Sequence, residues 1–70
     1  MHIIGQRIRR ERKKQQLTLQ KLSNKSGLAI SSLCDIEKGR FTPSLESLYK
    51  IAGALGVKIT FFYLRITKIA

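Results

Sequence analysis

LTLQKLSNKSGLAISSLCDIEKG, from Leu17 to Gly39, is the stretch that decides the fold. Thr18 is a strong N-cap residue, because its hydroxyl can accept from a free amide of the first helical turn. Behind it, Leu19 and Leu22 give an apolar side to a short helix over about Leu19–Lys25. Gly27 ends that helix by supplying a positive φ without steric cost. A second short helix follows over about Ile30–Lys38, with Leu33, Ile36 and Glu37 on its inner side and Gly39 as its stop. Ser23 is small, as the close crossing of two helices requires.

Outward from this pair the pattern stays helical. Ile4, Ile8 and the stem of Arg12 recur every fourth residue and predict a helix over about Ile4–Gln15, against which Leu17 closes. On the other side, Leu45, Leu48, Ile51, Ala52 and Leu55 form one stripe of a helix over about Ser44–Leu55, ended by Gly56. The single proline, Pro43, lies between two candidate caps, Thr42 and Ser44, and the spacing does not choose between them. The tail, residues 57–70, has two readings. Thr60 could cap a fifth helix holding Phe61, Phe62, Tyr63 and Leu64, which is the preferred reading. Alternatively Val57, Ile59, Phe61 and Tyr63 alternate as in a strand. The expected fold is all-α: one domain, residues 1–70, built as a compact bundle of about five short helices.

Composition narrows the function classes. The 70 residues carry 14 Lys and Arg against 4 Asp and Glu, a net charge of +10, which points to a polyanionic partner. One cysteine, Cys34, permits no intrachain disulfide, so the expected setting is the cytosol. One His and one Cys exclude a four-ligand zinc site made from this chain alone, so no metal and no cofactor is expected. The apolar stretch at 59–66 is broken by Thr60 and Arg65 and falls far short of the ~20 residues that span a bilayer, so no membrane partner is expected. Catalysis needs a nucleophile, base or metal gathered in a pocket. Four acids, one His2 and one Cys34 spread over helix surfaces offer none, so an enzyme is not expected.

Two helices joined by a tight glycine turn form a helix-turn-helix, which lays its first helix across the DNA backbone and sets its second in the major groove. The pieces IGQRIRRERKKQQLTLQKL, the turn Ser26-Gly27-Leu28, SSLCDIEKGR and TPSLESLYKIAGALGV occur here in register. Together they resemble the Cro/CI-type (XRE) helix-turn-helix repressors, and within that family the SinR/SlrR subgroup, over about residues 4–60. The resemblance implies a λ-repressor-like DNA-binding domain with the helix-turn-helix unit at about 18–38. Carried over by position, it places Ile30, Ser31 and Asp35 at base edges, where Ile30 would pack on a thymine methyl and Asp35 would accept from cytosine N4. It places Ser32, Lys38, Arg40 and Thr42 near phosphates, and sets Thr18 with the amides of Leu19 and Gln20 at a helix N-terminus facing a phosphate. It implies an ion pair between Arg12 and Glu37.

The dense cluster Phe61, Phe62, Tyr63 and Leu64 exceeds what so small a core can cover, and it is expected to form a homodimer interface matching an inverted-repeat operator. Arg7, Arg9, Arg10, Lys13 and Lys14 crowd the first helix and point in several directions. The expected function is sequence-specific binding of double-stranded DNA by a transcriptional regulator, a repressor. Two rivals stand beside it. A nonspecific or RNA-binding protein would interleave aromatics with basic residues, whereas here the aromatics gather at the tail. A module that sequesters a protein partner could coexist with DNA binding.

Overall fold

The computed structural model describes residues 3–62. Four helices follow in order: α1 (Ile3–Lys14), α2 (Leu19–Ser26), α3 (Ile30–Lys38) and α4 (Leu45–Leu55). Helical backbone resumes at 60–62, and no strand occurs among the described residues. The amides of Phe61 and Phe62 donate to the carbonyls of Lys58 and Ile59 at 2.9 and 3.1 Å, so the chain turns where the strand reading requires it to extend. Thr60, expected as a cap, is itself already helical.

Each helix end has a local cause. Thr18 Oγ1 accepts from the amide of Lys21 at 3.1 Å. Ser44 is the cap of α4, its Oγ accepting from the amide of Ser47 at 3.1 Å, which settles the choice against Thr42. Ala29, at the N-cap of α3, has no side chain that could cap. Gly27 at φ 80° turns the chain between α2 and α3. Within that turn Ser23 Oγ donates to the carbonyl of Leu28, and Ser26 Oγ accepts from the Leu28 amide. Ser23 is therefore a clasp as well as a small residue. Helix α1 stops without a glycine: Gln16 takes the left-handed conformation at φ 60°.

The core joins all the helices. Ile8, Leu22, Leu33, Ile36, Leu48, Ile51, Ala52, Leu55 and Phe62 form one buried cluster. Helix α1 packs on α3, and α2 packs on both α3 and α4. Two expectations are corrected here. Leu45 does not continue the buried stripe of α4, being 57% exposed. Periodicity gives the inward side of a helix but not where its neighbour ends. At 1.5 Å per residue, the 8 residues of α2 cannot cover all 11 of α4. Phe62 is not an interface residue, because at 0% exposure it lies wholly in the chain's own core. Phe61 is half-buried beside it, with ring centroids 5.4 Å apart edge to face. Arg7 covers Phe61, its guanidinium 5.6 Å from the ring centroid and its Nη1 donating to the Phe61 carbonyl at 3.0 Å. Tyr63 and Leu64 lie outside the described residues.

Helix α1 reaches α3 at Gly5. A Cβ there would overlap the carbonyl oxygen of Ile36 and stand 3.1 Å from that of Glu37. Both are backbone atoms and cannot swing aside. Gly5→Ala is therefore expected to lower stability by about 3 kcal/mol, as overpacking against a rigid wall does. Urea unfolding followed by helical circular dichroism measures it. A variant as stable as the parent would show that α1 and α3 do not touch here.

Candidate nucleic-acid interface

Helix α3 buries Leu33, Ile36 and Glu37 and turns the opposite side outward. Ile30 and Ser31 are exposed at its leading end, and Asp35 is half-exposed one turn later on the same side as Ser31. Ile30, at 39%, is a large apolar side chain left in water, an unfavourable arrangement for a solvated surface. Asp35 is loosely paired, with Arg40 Nη1 at 3.9 Å from Oδ1, and the backbone amide of Arg40 donates to the Asp35 carbonyl at 2.8 Å. Arg40, Thr42 and Lys38 are exposed; Ser32 is half-buried.

Beside this face lies an open groove of about 380 Å³ between α1, the start of α2 and the flank of α3. Thr18 and Leu19 form one wall, Cys34, Glu37 and Lys38 another, and Arg9, Arg12 and Lys13 the third. The first amides of α2 have no partner within the helix and concentrate positive potential at its N-terminus. Gln20 is exposed there and donates through Nε2 to Asn24 Oδ1 at 3.2 Å, while Leu19 is half-buried, which leaves its amide as its polar contribution. The rim of the groove thus carries Arg9, Lys13 and Lys38 around a helix N-terminus, which is a cradle for an anion. Sequence reading left Arg9 and Lys13 among cations of no fixed direction. Their four-residue spacing, shared with the side of α1 that faces α3, is the signal that could have separated them from Arg10 and Lys14. Cys34 sits in the groove wall, half-buried.

One buried ion pair fixes α3 to α1. Arg12 donates through Nε to Glu37 Oε2 at 2.7 Å and through Nη2 to Oε1 at 3.0 Å. Its Nη1 donates to the carbonyl of Leu17 at 2.8 Å. The hydrogen bond to Glu37 outweighs burial and raises the Arg12 guanidinium above its ordinary value. The pair is planar and two-pronged, so it sets orientation as well as distance. Among the described residues no cluster of His, Cys, Asp or Glu could hold a metal ion. No described helix is long and apolar enough to cross a membrane.

Two capped helices at a glycine turn, the second pinned from behind and bare in front, match the sequence profile described as Helix-turn-helix over residues 8–62. The chain belongs to the helix-turn-helix family. It is 46% identical over 57 residues to the immunity repressor protein of Bacillus phage phi105, covering 81% of this chain and 40% of that one. It is 40% identical over 58 residues to the HTH-type transcriptional regulator SinR of Bacillus subtilis, covering 81% and 52%. The chain therefore spans about half, or less, of the length of these curated relatives. Among solved structures, SinR in complex with DNA superposes with a TM-score of 0.80 at 38% identity, covering 84% of this chain and 95% of that chain. The restriction-modification controller protein C.AhdI from Aeromonas hydrophila superposes at 0.85 with 31% identity, covering 87% and 92%. The family and the all-α fold implied by the sequence thus both hold. These relatives are regulators, not enzymes.

Proposed function

We propose that the protein binds double-stranded DNA sequence-specifically through α3 and acts as a transcriptional repressor, pairing two copies on an inverted repeat in the bacterial cytoplasm. The observation that carries this reading is the bare leading face of α3 set beside a cationic groove at the N-terminus of α2. A phosphate would lie against Thr18 and the amides of Leu19 and Gln20, within reach of Arg9, Lys13 and Lys38. Ser32, Arg40 and Thr42 would meet the backbone on the far side. Ile30 and Ser31 would reach base edges, and Asp35 would join them where a cytosine draws it from Arg40. Similarity to a phage repressor and to a regulator solved on DNA supports the assignment.

The test is selection of bound fragments from a random duplex library with excess competitor at roughly physiological salt. Enrichment of an inverted repeat with half-sites about 34 Å apart supports the reading. Binding with no enrichment, lost as salt rises, would make it a nonspecific binder and overturn the claim of specificity. Lys38→Ala is a finer check. It is expected to weaken all DNA sequences about equally and to lower the salt slope by about one. A loss confined to one sequence would move Lys38 from phosphate to base.

A further inference from the structure

The leading tip of α3 is apolar. Ile30 is 39% exposed, and Ala29 before it is exposed and has no side chain that could cap the helix. The tip has only carbon with which to meet a base edge. In the major groove, the apolar group on a base edge is a methyl at C5 of a pyrimidine. Thymine carries that methyl, and so does 5-methylcytosine. We infer that Ile30 reads the methyl and not the base, so that 5-methylcytosine substitutes for thymine beneath it and cytosine methylation creates binding sites for the protein. The inference rests on the reading of α3 as the helix that enters the major groove, and adds to it a response to the methylation state of the DNA.

The two bases differ in the groove at position 4, where thymine has an accepting oxygen and 5-methylcytosine a donating amine. A side chain that tells them apart must donate or accept, but not both. Ile30 does neither. Ser31, exposed beside it, does both, because a hydroxyl is one donor and two acceptors and turns to suit. The purine opposite also changes, from the N6 donor of adenine to the O6 acceptor of guanine, and the same hydroxyl meets either. The acceptor-only side chain on this face is Asp35, which would reject the oxygen of thymine. It stands about 7.5 Å further along the helix axis, well over one base step, and so faces a different pair. Lys38 and Arg40, which only donate, stand at the far end of α3 and beyond it. Nothing at the tip therefore separates thymine from 5-methylcytosine, while the methyl separates both from cytosine.

Burial of one methyl sets the size of the effect, roughly 4-fold in affinity. Two copies on an inverted repeat set one Ile30 on each half-site. Methylation of one half-site is therefore worth roughly 4-fold and methylation of both roughly 16-fold, since distant sites add in free energy.

Selection from two random duplex libraries tests it, one copied with dCTP and the other with 5-methyl-dCTP. From the first, one position of each half-site is expected to be held at thymine. From the second, that position alone is expected to accept cytosine as well as thymine. Competition binding then compares the selected operator carrying thymine, uracil, cytosine or 5-methylcytosine at that position in both half-sites. The two methylated bases are expected to bind alike, and the two bare ones roughly 16-fold more weakly. Ile30→Ala is expected to lose most of this difference while keeping the parent melting curve, since Ile30 lies outside the core cluster. A 5-methylcytosine operator that binds no better than the cytosine one overturns the inference. So does a methyl advantage that survives in Ile30→Ala, which would assign it to another residue or to DNA shape. In both of these cases an operator is still enriched, and the reading of α3 stands. Libraries that yield no enrichment at all overturn that reading and this inference with it.

Discussion

Replacing Glu37 with alanine is expected to cost about 3–5 kcal/mol of folding stability, the usual penalty for stranding one partner of a buried pair. Arg12 would keep its bond to the carbonyl of Leu17 but lose both bonds to the carboxylate, at a position less than a tenth exposed. A domain of this length holds about 4–10 kcal/mol in all. The variant is therefore expected to be largely unfolded on gentle warming, with its urea midpoint shifted toward zero. The double change Arg12→Met with Glu37→Leu should recover a large part of the loss, because no charge then remains buried and only the Leu17 carbonyl lacks its donor. Urea unfolding of the three proteins, followed by helical circular dichroism, gives both comparisons. A loss below about 1 kcal/mol for Glu37→Ala, the range of an exposed pair, would mean that water reaches this site and that the latch between α1 and α3 is weak.

Helix α3 was legible to the residue, Ile30–Lys38, because the Gly27 turn precedes it, Gly39 stops it and its inner positions recur at helical spacing. The end of α1 was not, because Gln16 does at φ 60° what a glycine usually does, and no residue type announces that. Side-chain spacing showed which way each helix faces but not how far its neighbour extends, hence the error at Leu45. Phe62 was misjudged for a related reason. Counting large residues does not reveal that helical backbone at 60–62 drops one of them into the centre of the bundle. The contact of Gly5 with α3 left no trace in periodicity either, since a helix interior glycine reads only as a weak helix former. The Arg12–Glu37 pair came through the family resemblance, not through spacing. The direction of Arg9 and Lys13 emerged only once α2 and α3 were in place to make a groove with them. Local rules thus carried the elements, while close approaches between elements needed the packed structure.

Changing Ile30 and Ser31 together to alanine is expected to lower affinity for the selected operator by about 30- to 1,000-fold, or roughly 2–4 kcal/mol, while binding to unrelated DNA stays near the parent value. Both side chains are exposed and neither is part of the core cluster, so the fold should tolerate the change. The groove cations remain, so the salt-sensitive part of binding survives. The two residues should separate on modified DNA. An isoleucine has no hydrogen-bonding group, and the one apolar feature at a major-groove edge is the thymine methyl. Replacing thymine by uracil at one operator position should therefore cost the parent roughly 4-fold, about the worth of one buried methyl, and cost an Ile30→Ala chain much less. Competition binding at fixed salt measures all of these values. If the double variant kept its operator preference, α3 would not be the reading element, and the apolar tip formed by Ala29 and Ile30 would need another partner. If preference fell but no uracil position mattered, Ile30 would act by shape against the backbone, and Ser31 would carry the base contact alone.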